Sequence, residues 1–498
     1  MIPDELAKLF LSRTQLQKLK ILNKLTSGIT TFSSLEEQLG MSKRKLKEDT
    51  TSLLREIEEI KTEHSYTLLV DKESIQFSKK LEDSEFVALT NSIREKYLSE
   101  SSLFQVLLFV LEKRYFSIST MANELSYSES YAYKLYSKLN NFLYSMNADI
   151  RLTKKSDVLI QLTGNESTIR LLHYLSISIA SKGNYWLFKT ITQKEIVTIQ
   201  SYINSRRYDR LSSVGKNRVN SILAVYELAL KNGYKLSRLD DEVVILGEVI
   251  NKEKEIRLYL KYLKKETENK EIELHEELIH LAFVINYFTQ EIRSDEEKQD
   301  IGKHLCSMKS NTIVNKCLGL LDTITKRYPL VEESYYLLLY SLCNRLVVIH
   351  YLGLYNFMPL YKVPPLLGEI ESFVENCIDK SLDSYRKDPS FDKLKYSMTK
   401  IITGYLIMIF PIRKKVYVEF FHRPEYKSII ENAIKYNYNQ KVLQITNNYV
   451  ESDIIISDTH GYDRKKFFYF NDVFDQSSWE KLGLYLNHII SNEIIEMN

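Results

Sequence analysis

The chain has 498 residues, with Lys+Arg 68 against Asp+Glu 65 and hydrophobic residues at 44%; this balance excludes intrinsic disorder and a single dominant charged tail. At about 150 residues per domain the length predicts several domains rather than one core. Gly is only 14 of 498 and every proline except Pro3 falls from Pro329 onward, which predicts a mostly helical body; neither GxGxxG nor GxxxxGK[ST] occurs, which excludes the standard dinucleotide and P-loop cradles.

In chain order, Leu16, Leu19, Leu22 and Leu25 give an amphipathic spacing and predict a helix over Gln15–Thr26. A second helix is expected from Ser33, with Glu36 as its capping-box partner, to about Gly40. Met41 is the turn and Ser42 the N-cap of a third helix reaching about Ile60. A hairpin of Tyr66–Leu69 and Ile75–Phe77 around Asp71–Glu73 completes a winged helix-turn-helix pattern. On the third helix Leu46, Leu53 and Ile57 form the buried stripe, which turns Arg44, Lys47, Glu48 and Thr51 outward. Lys43, Arg44 and Lys45 crowd the positive end of the helix dipole, so an anion such as backbone phosphate is expected there. Ser42, Lys43, Arg44, Lys45, Lys47 and Thr51 are therefore candidate DNA contacts, with Arg44 and Thr51 for base edges and the lysines for phosphates. A solvated lysine-rich helix start is the plainer alternative.

The pattern repeats. Leu103–Glu112 and Ile118–Leu125 read as helices, and Ser126 or Ser128 caps a third, with Leu135, Leu139, Phe142 and Met146 as its core stripe. Its outward face is Ser130, Tyr133, Ser137 and Asn140, flanked by Lys134 and Lys138. A second hairpin, Ile150–Leu152 and Val158–Leu162, carries Lys154 and Lys155 at its tip. These residues suit phosphates and some base edges; an internal packing or dimerisation helix is the alternative. Residues 1–165 carry a net charge of only +1, 23 basic against 22 acidic residues, so any electrostatic footprint must be local.

From about Asn165 to Lys400 helical patterns alternate with polar breaks at Lys182–Asn184, Ser212–Asn217 and Asn232–Lys235. Leu171-Leu-His173 and Leu278-Ile-His280 begin similar apolar runs 107 residues apart, an internal repeat of about one small helical domain. His275-Glu-Glu-Leu-Ile-His280 is one residue too long for a zinc helix, because ligands five apart lie about 140° round the axis. The basic run Arg206, Arg207, Arg210, Lys216 and Arg218 reads as solvated surface. After Pro411 short strands at Lys415–Phe421, Val442–Thr446, Asp453–Ser457 and Lys466–Phe470 alternate with helices at Glu425–Tyr436 and about Ser478–Ile495, an α/β domain with a largely parallel sheet.

Cys306, Cys317, Cys343 and Cys377 lie far apart without a CxxC pair, and Met1–Phe10 does not read as a secretory leader. The expectation is reduced thiols in a cytoplasmic protein with no metal and no cofactor. Ile401–Ile412 is about half the roughly 20 residues a span needs, and Tyr335–Met358 is interrupted by Asn344 and Arg345, so no membrane span is expected.

Ser42-Lys-Arg-Lys-Leu46-Lys-Glu-Asp49 resembles the recognition-helix signature of the Mga/AtxA-type virulence regulators of Gram-positive bacteria. Leu139-Asn140 and Leu162-x-Gly164-x-Glu166-x-x-Ile169-Arg170 are similar to further family positions. The resemblance covers nearly the whole chain. It implies a mainly α multidomain protein: winged helix-turn-helix modules at 1–82 and 83–165, phosphotransferase-system (PTS) regulation domains at 166–272 and 273–400, and an enzyme IIB-like α/β domain at 411–498. It implies a non-enzymatic transcription regulator of virulence and carbohydrate-linked genes, a homodimer or higher oligomer that binds double-stranded promoter DNA and meets PTS phosphocarrier proteins. It places His173 and His280 near the histidine such domains phosphorylate, with His275 and His350 as further candidates; a second histidine in each domain is not evident, and Arg345 takes one such place. The enzyme IIB cysteine is missing, since Phe420-Phe-His422-Arg-Pro424-Glu follows the first strand and no Cys occurs after Cys377. The alternatives are an RNA-binding antiterminator with the same regulation domains, or a phosphotransfer component of sugar transport.

Overall fold

With few glycines and prolines to interrupt them, helical runs dominate the computed structural model. It describes residues 10–25, 30–60, 67–79, 81–146, 149–181, 186–200, 205–250, 271–358, 368–407, 414–420, 425–440, 442–459, 466–470 and 472–496.

The first module starts with α1 (Arg13–Lys24), opened by a reciprocal capping box between Ser12 and Gln15. Then come β1 (Thr30–Thr31), α2 (Phe32–Leu39), α3 (Lys43–Ile60), β2 (Leu68–Val70) and β3 (Ser74–Phe77), with β3 central and antiparallel to both neighbours. Thr31, not Ser33, caps α2: its hydroxyl accepts the Ser34 N–H at 3.2 Å. Glu36 does not close a box on its own helix but accepts the Lys43 N–H at 3.2 Å, capping the next one. Gly40 ends α2 at φ 62°, a left-handed cap that glycine adopts without a Cβ penalty. Leu46, Leu53 and Ile57 are buried as expected, because α3 packs on α1 and α2.

A long helix, α4 (Asp83–Glu100), leads to the second module and is tied to the first through Glu56, whose carboxylate accepts from Lys18 Nζ at 2.6 Å and Tyr97 OH at 2.5 Å. The same order recurs: α5 (Ser102–Lys113), β4 (Tyr115–Ser117), α6 (Ile118–Leu125), α7 (Glu129–Ser145), β5 (Ile150–Lys154) and β6 (Leu159–Gly164), with β6 central. Ser128 caps α7, while Ser126, at φ 57°, closes α6. The α7 stripe is Ala132, Leu135, Leu139 and Leu143; Phe142 and Met146, expected in it, are half-buried. Small Ala132 shifts the stripe towards Leu139 and Leu143. Phe142 is left at the edge, where it meets the Phe10 ring edge-on at 6.1 Å, and Met146 lies past the helix end.

Helices then follow without a strand among the described residues up to 407: α8 (Glu166–Ser181), α9 (Gln193–Gln200), α10 (Ser205–Asp209), α11 (Ser213–Lys231), α12 (Asp241–Ile250), α13 (Glu271–Phe288), α14 (Asp295–Leu305), α15 (Thr312–Arg327), α16 (Glu332–Leu346), α17 (Gly368–Ser381) and α18 (Phe391–Ile407). The break expected at Ser212–Asn217 is instead the start of α11, with Ser212 accepting the Gly215 N–H at 3.1 Å; that at Lys182–Asn184 lies outside the described residues. Two members of the basic run are cross-links rather than solvated surface: Arg207 pairs with Glu297 at 2.6 Å, and Arg218 donates to the Phe288 carbonyl at 2.7 Å and pairs with Glu291. The chain divides into two compact units, residues 1–298 with 344–359, and residues 299–343 with 360–498. The first holds both modules and α8–α13.

In the second unit, β7 (Lys414–Glu419), α19 (Glu425–Asn437), β8 (Leu443–Ile445), β9 (Ile454–Ser457), β10 (Lys466–Tyr469) and α20 (Gln476–Glu496) form a four-stranded sheet in the order β10-β9-β7-β8, with every neighbouring pair parallel. All four residues of β9 are buried, as a central strand covered on both faces requires. Ile430 and Ile434 of α19 and Leu482 and Leu486 of α20 join its core. His422 lies outside the described residues.

Candidate nucleic-acid interface

On the first module the N-terminus of α3 is already supplied with anions. The Glu36 carboxylate holds the Lys43 N–H, and Lys43 Nζ reaches Glu73 of the wing at 2.7 Å, lowering the Glu73 carboxyl below its usual range. Arg44 pairs with Glu48 at 3.0 Å and Lys45 with buried Asp49 at 2.7 Å, each one helical turn on. Lys47 lies over the Phe32 ring at 5.4 Å, and the Thr51 hydroxyl donates back to the Lys47 carbonyl at 2.8 Å. Ser42 is exposed and accepts the Lys45 N–H at 3.4 Å. Arg44 remains open to solvent, its side chain 91% exposed. The clustered cations thus do not require an outside anion; the carboxylates of this face offset them.

The second module differs. Ser130, Tyr133, Lys134, Ser137 and Lys138 are all exposed on α7, with Tyr131 beside them. Among the described residues neither lysine has a carboxylate in ion-pair reach, and no acidic residue occurs from Ser130 to Ser145. Asn140, expected on this face, turns inward instead: its side-chain oxygen accepts the Leu152 N–H at 3.1 Å and fastens the wing to α7. Lys154 and Lys155 stand exposed on the wing, Lys155 bonded to Gln161 at 3.1 Å. Exposed lysines, hydroxyls and tyrosines on a helix that follows a tight turn can meet phosphates and base edges. The carboxylates that neutralise α3 were half legible, in the four-residue spacing of Arg44 with Glu48 and of Lys45 with Asp49.

The histidines take three kinds of place. His173 on α8 is 1% exposed, with its ring 5.4 Å from that of Phe188 and neither ring nitrogen partnered among the described residues. Burial, and then the charge of Arg114, hold its pKa down at about 3. His280 on α13 is fully buried. The Ser167 hydroxyl donates to the Leu352 carbonyl at 2.8 Å, so it accepts from His280 Nε2–H at 2.5 Å, and Tyr226 OH donates to Nδ1. This assigns a neutral Nε2–H tautomer; burial, then Arg170, push its pKa well down. His275 keeps 43% of its side chain exposed, with Nε2 3.2 Å from Glu248, and half-buried His350 closes a π-helical turn at Val347–Tyr351. A phosphoryl donor could reach His275 as it stands; His173 and His280 would first have to leave the core.

Beneath the second wing runs a buried chain of charges. Arg114 forms a fork with Glu166 at 2.9 and 3.4 Å, Glu166 also accepts from Arg170 Nε at 2.9 Å, and Arg170 forks onto Glu277. Glu112, four per cent exposed, accepts the Lys189 and Thr190 N–H groups at 3.0 and 2.9 Å, joining α5 to the segment before α9.

Two helices about a tight turn, followed by a hairpin wing, define a helix-turn-helix protein. Residues 88–176 match the family model described as the Mga helix-turn-helix domain. That span takes in all of α5–α7, the second wing and the start of α8, including Leu139-Asn140 and Leu162–Arg170; the Ser42–Asp49 signature falls outside it. No curated protein matches the chain. Among the described residues no helix is long and apolar enough to cross a membrane.

Proposed function

We propose that this chain is a DNA-binding transcription regulator rather than an enzyme, and that its second module carries most of the contact with duplex promoter DNA. In this reading α7 enters the major groove, with Ser130, Tyr133 and Ser137 towards base edges, while Lys134, Lys138, Lys154 and Lys155 meet phosphates. The observation that carries it is the exposed, uncompensated lysine pair on α7, inside the span that matches the Mga helix-turn-helix domain. The first module, its cations paired internally, acts as an auxiliary contact.

The finer reading follows the family resemblance. Residues 166–272 and 273–400 serve as PTS regulation domains that meet phosphocarrier proteins, His275 being the histidine best placed to receive phosphate. The parallel-sheet domain at 411–498 serves as an enzyme IIB-like module that lacks the transport cysteine and supports a homodimer. The genes controlled are those of virulence and carbohydrate use, in the cytoplasm.

Binding of the intact chain to long duplex DNA under a salt titration tests this. Four phosphate-facing lysines give a slope of about −3.6, and Lys134→Ala/Lys138→Ala should bring it to about −1.8. An unchanged slope would remove α7 from the interface, and preference for an RNA hairpin over duplex DNA would favour the antiterminator reading.

A further inference from the structure

Arg114 is one of only two non-glycine residues at positive φ among the described residues, at 60°, and it sits at the hinge between α5 and β4. Such a conformation is unfavourable for a side-chain-bearing residue and persists only where its surroundings hold it. Its carbonyl accepts the Leu162 N–H of β6 at 2.8 Å, and the strand it launches pairs with β6 from Tyr115 to Ser117. The wing therefore follows Arg114. What holds Arg114, besides its own bond to the Leu111 carbonyl and the Tyr234 ring at 5.2 Å, is Glu166.

That carboxylate is shared. Arg114 Nη1 holds Glu166 Oε2 at 2.9 Å, while Oε1 is shared, receiving Arg170 Nε at 2.9 Å and Arg114 Nη2 at 3.4 Å, so the two arginines compete at Oε1. Arg170 is kept from taking more of it by Glu277 of α13, by the Tyr234 carbonyl at 2.9 Å and by the Tyr226 ring at 4.8 Å. Glu277 is itself oriented by the Leu236 N–H at 2.8 Å. All four charged groups are buried, two cations against two anions, so each carboxylate oxygen withdrawn from one arginine must be replaced from another source.

The geometry points to Arg170 and Glu277 as positioning residues for the DNA-facing wing: the carboxylate of α13 decides how much of Glu166 is left to hold Arg114, and so couples the helical body to the wing. This rests on the DNA-binding reading only for the wing's role; the coupling concerns the free protein.

Glu277→Gln leaves Arg170 short of an anion, and Arg170 then draws Glu166 away from Arg114. Hydrogen exchange on the full-length protein should show the Leu162 amide, which the Arg114 carbonyl holds, exchanging about tenfold or more faster, with the amides of α3 unchanged. Adding Arg170→Met removes the competitor, and the double variant should return to wild-type exchange in the wing, which a simple loss of packing would not do. If Glu277→Gln does not fold, the double variant, which carries no lone buried arginine at that position, decides alone. Unaltered wing exchange in Glu277→Gln, or persistent loosening in the double variant, overturns the proposal. In duplex binding the single variant should lose affinity at an unchanged salt slope, since no cation of the DNA face is removed. A wild type that binds no duplex would sink the DNA reading while the exchange data still judge the coupling.

Discussion

Releasing the first module's cations from their internal carboxylates should turn α3 into a stronger DNA contact. Glu48→Gln and Glu73→Gln together free Arg44 and Lys43, which pair with those carboxylates at 3.0 and 2.7 Å. Each cation newly offered to a phosphate adds about 0.9 to the salt slope, so two add about 1.8. Between 50 and 200 mM salt the double variant should therefore lose about twelvefold more affinity than the wild type, from a tighter starting point at low salt. Glu37→Gln/Glu58→Gln removes the same formal charge from exposed sites outside these pairs and serves as the control. Fluorescence anisotropy on a long labelled duplex reads both slopes. A variant no steeper than the control would show that α3 does not face the backbone. A Lys43→Ala/Arg44→Ala protein that is already flatter than wild type by about 1.8 would show that the internal pairs open on binding, and the argument from self-neutralisation would fail.

Three further outcomes follow from burial. His173 and His280 have folded pKa values held below the ordinary 6.5, so the unfolded chain binds more protons and stability falls as pH drops below that value; between pH 7.5 and 5 the His173 share costs about 2 kcal/mol, and His173→Phe should remove that share of the loss seen in urea titrations. A Cβ on Gly302 would meet the Tyr336 carbonyl oxygen at 2.2 Å, whereas one on Gly319 meets nothing within 4 Å; Gly302→Ala should cost about 1–3 kcal/mol and Gly319→Ala gain up to about 1 kcal/mol in denaturant midpoints, and equal effects would contradict the packing. Burial raises the thiol pKa of Cys306 and Cys377, and a hydrogen bond with Cys317 followed by burial raises that of Cys343; a disulfide-exchange reagent should label half-buried Cys306 first and the other three only in denaturant, and two fast thiols in the native protein would refute the burial pattern.

Much of the scaffold was readable because periodicity is a local property. The α3 stripe of Leu46, Leu53 and Ile57 and the four strands after Pro411 all follow from spacings of a few residues, and each forms in its expected place. Several of the differences share one cause, a partner distant in sequence. Three bases at a helix start argued for an external phosphate; the carboxylates the fold brings to Lys43, Glu73 from 30 residues on and Glu36 from the preceding helix, were not visible in that spacing. Asn140 pointed outward by helical angle but is claimed by Leu152 of the wing. Arg207 and Arg218 looked solvated until the short turn after α13 brought Glu291 to Arg218 and α14 brought Glu297 to Arg207.

The 107-residue offset that relates His173 to His280 also relates Arg170 to Glu277, and these two equivalent positions meet each other inside the fold. Had both positions carried one residue type, two like charges would face each other in the interior, where burial makes an unpaired charge costly. Opposite charges at equivalent positions make the two copies complementary instead of identical. The two histidines differ as well: His280 has its ring nitrogens satisfied by Ser167 and Tyr226, while those of His173 find no partner among the described residues. The α8 copy lies closest to the second wing through Glu166 and Arg114, and the α13 copy supplies the counter-charge that leaves Glu166 available. On the proposed coupling, the helix that carries Arg170 holds the second wing through Glu166 and the helix that carries Glu277 governs that hold, so the helical body acts on the wing through buried charge alone.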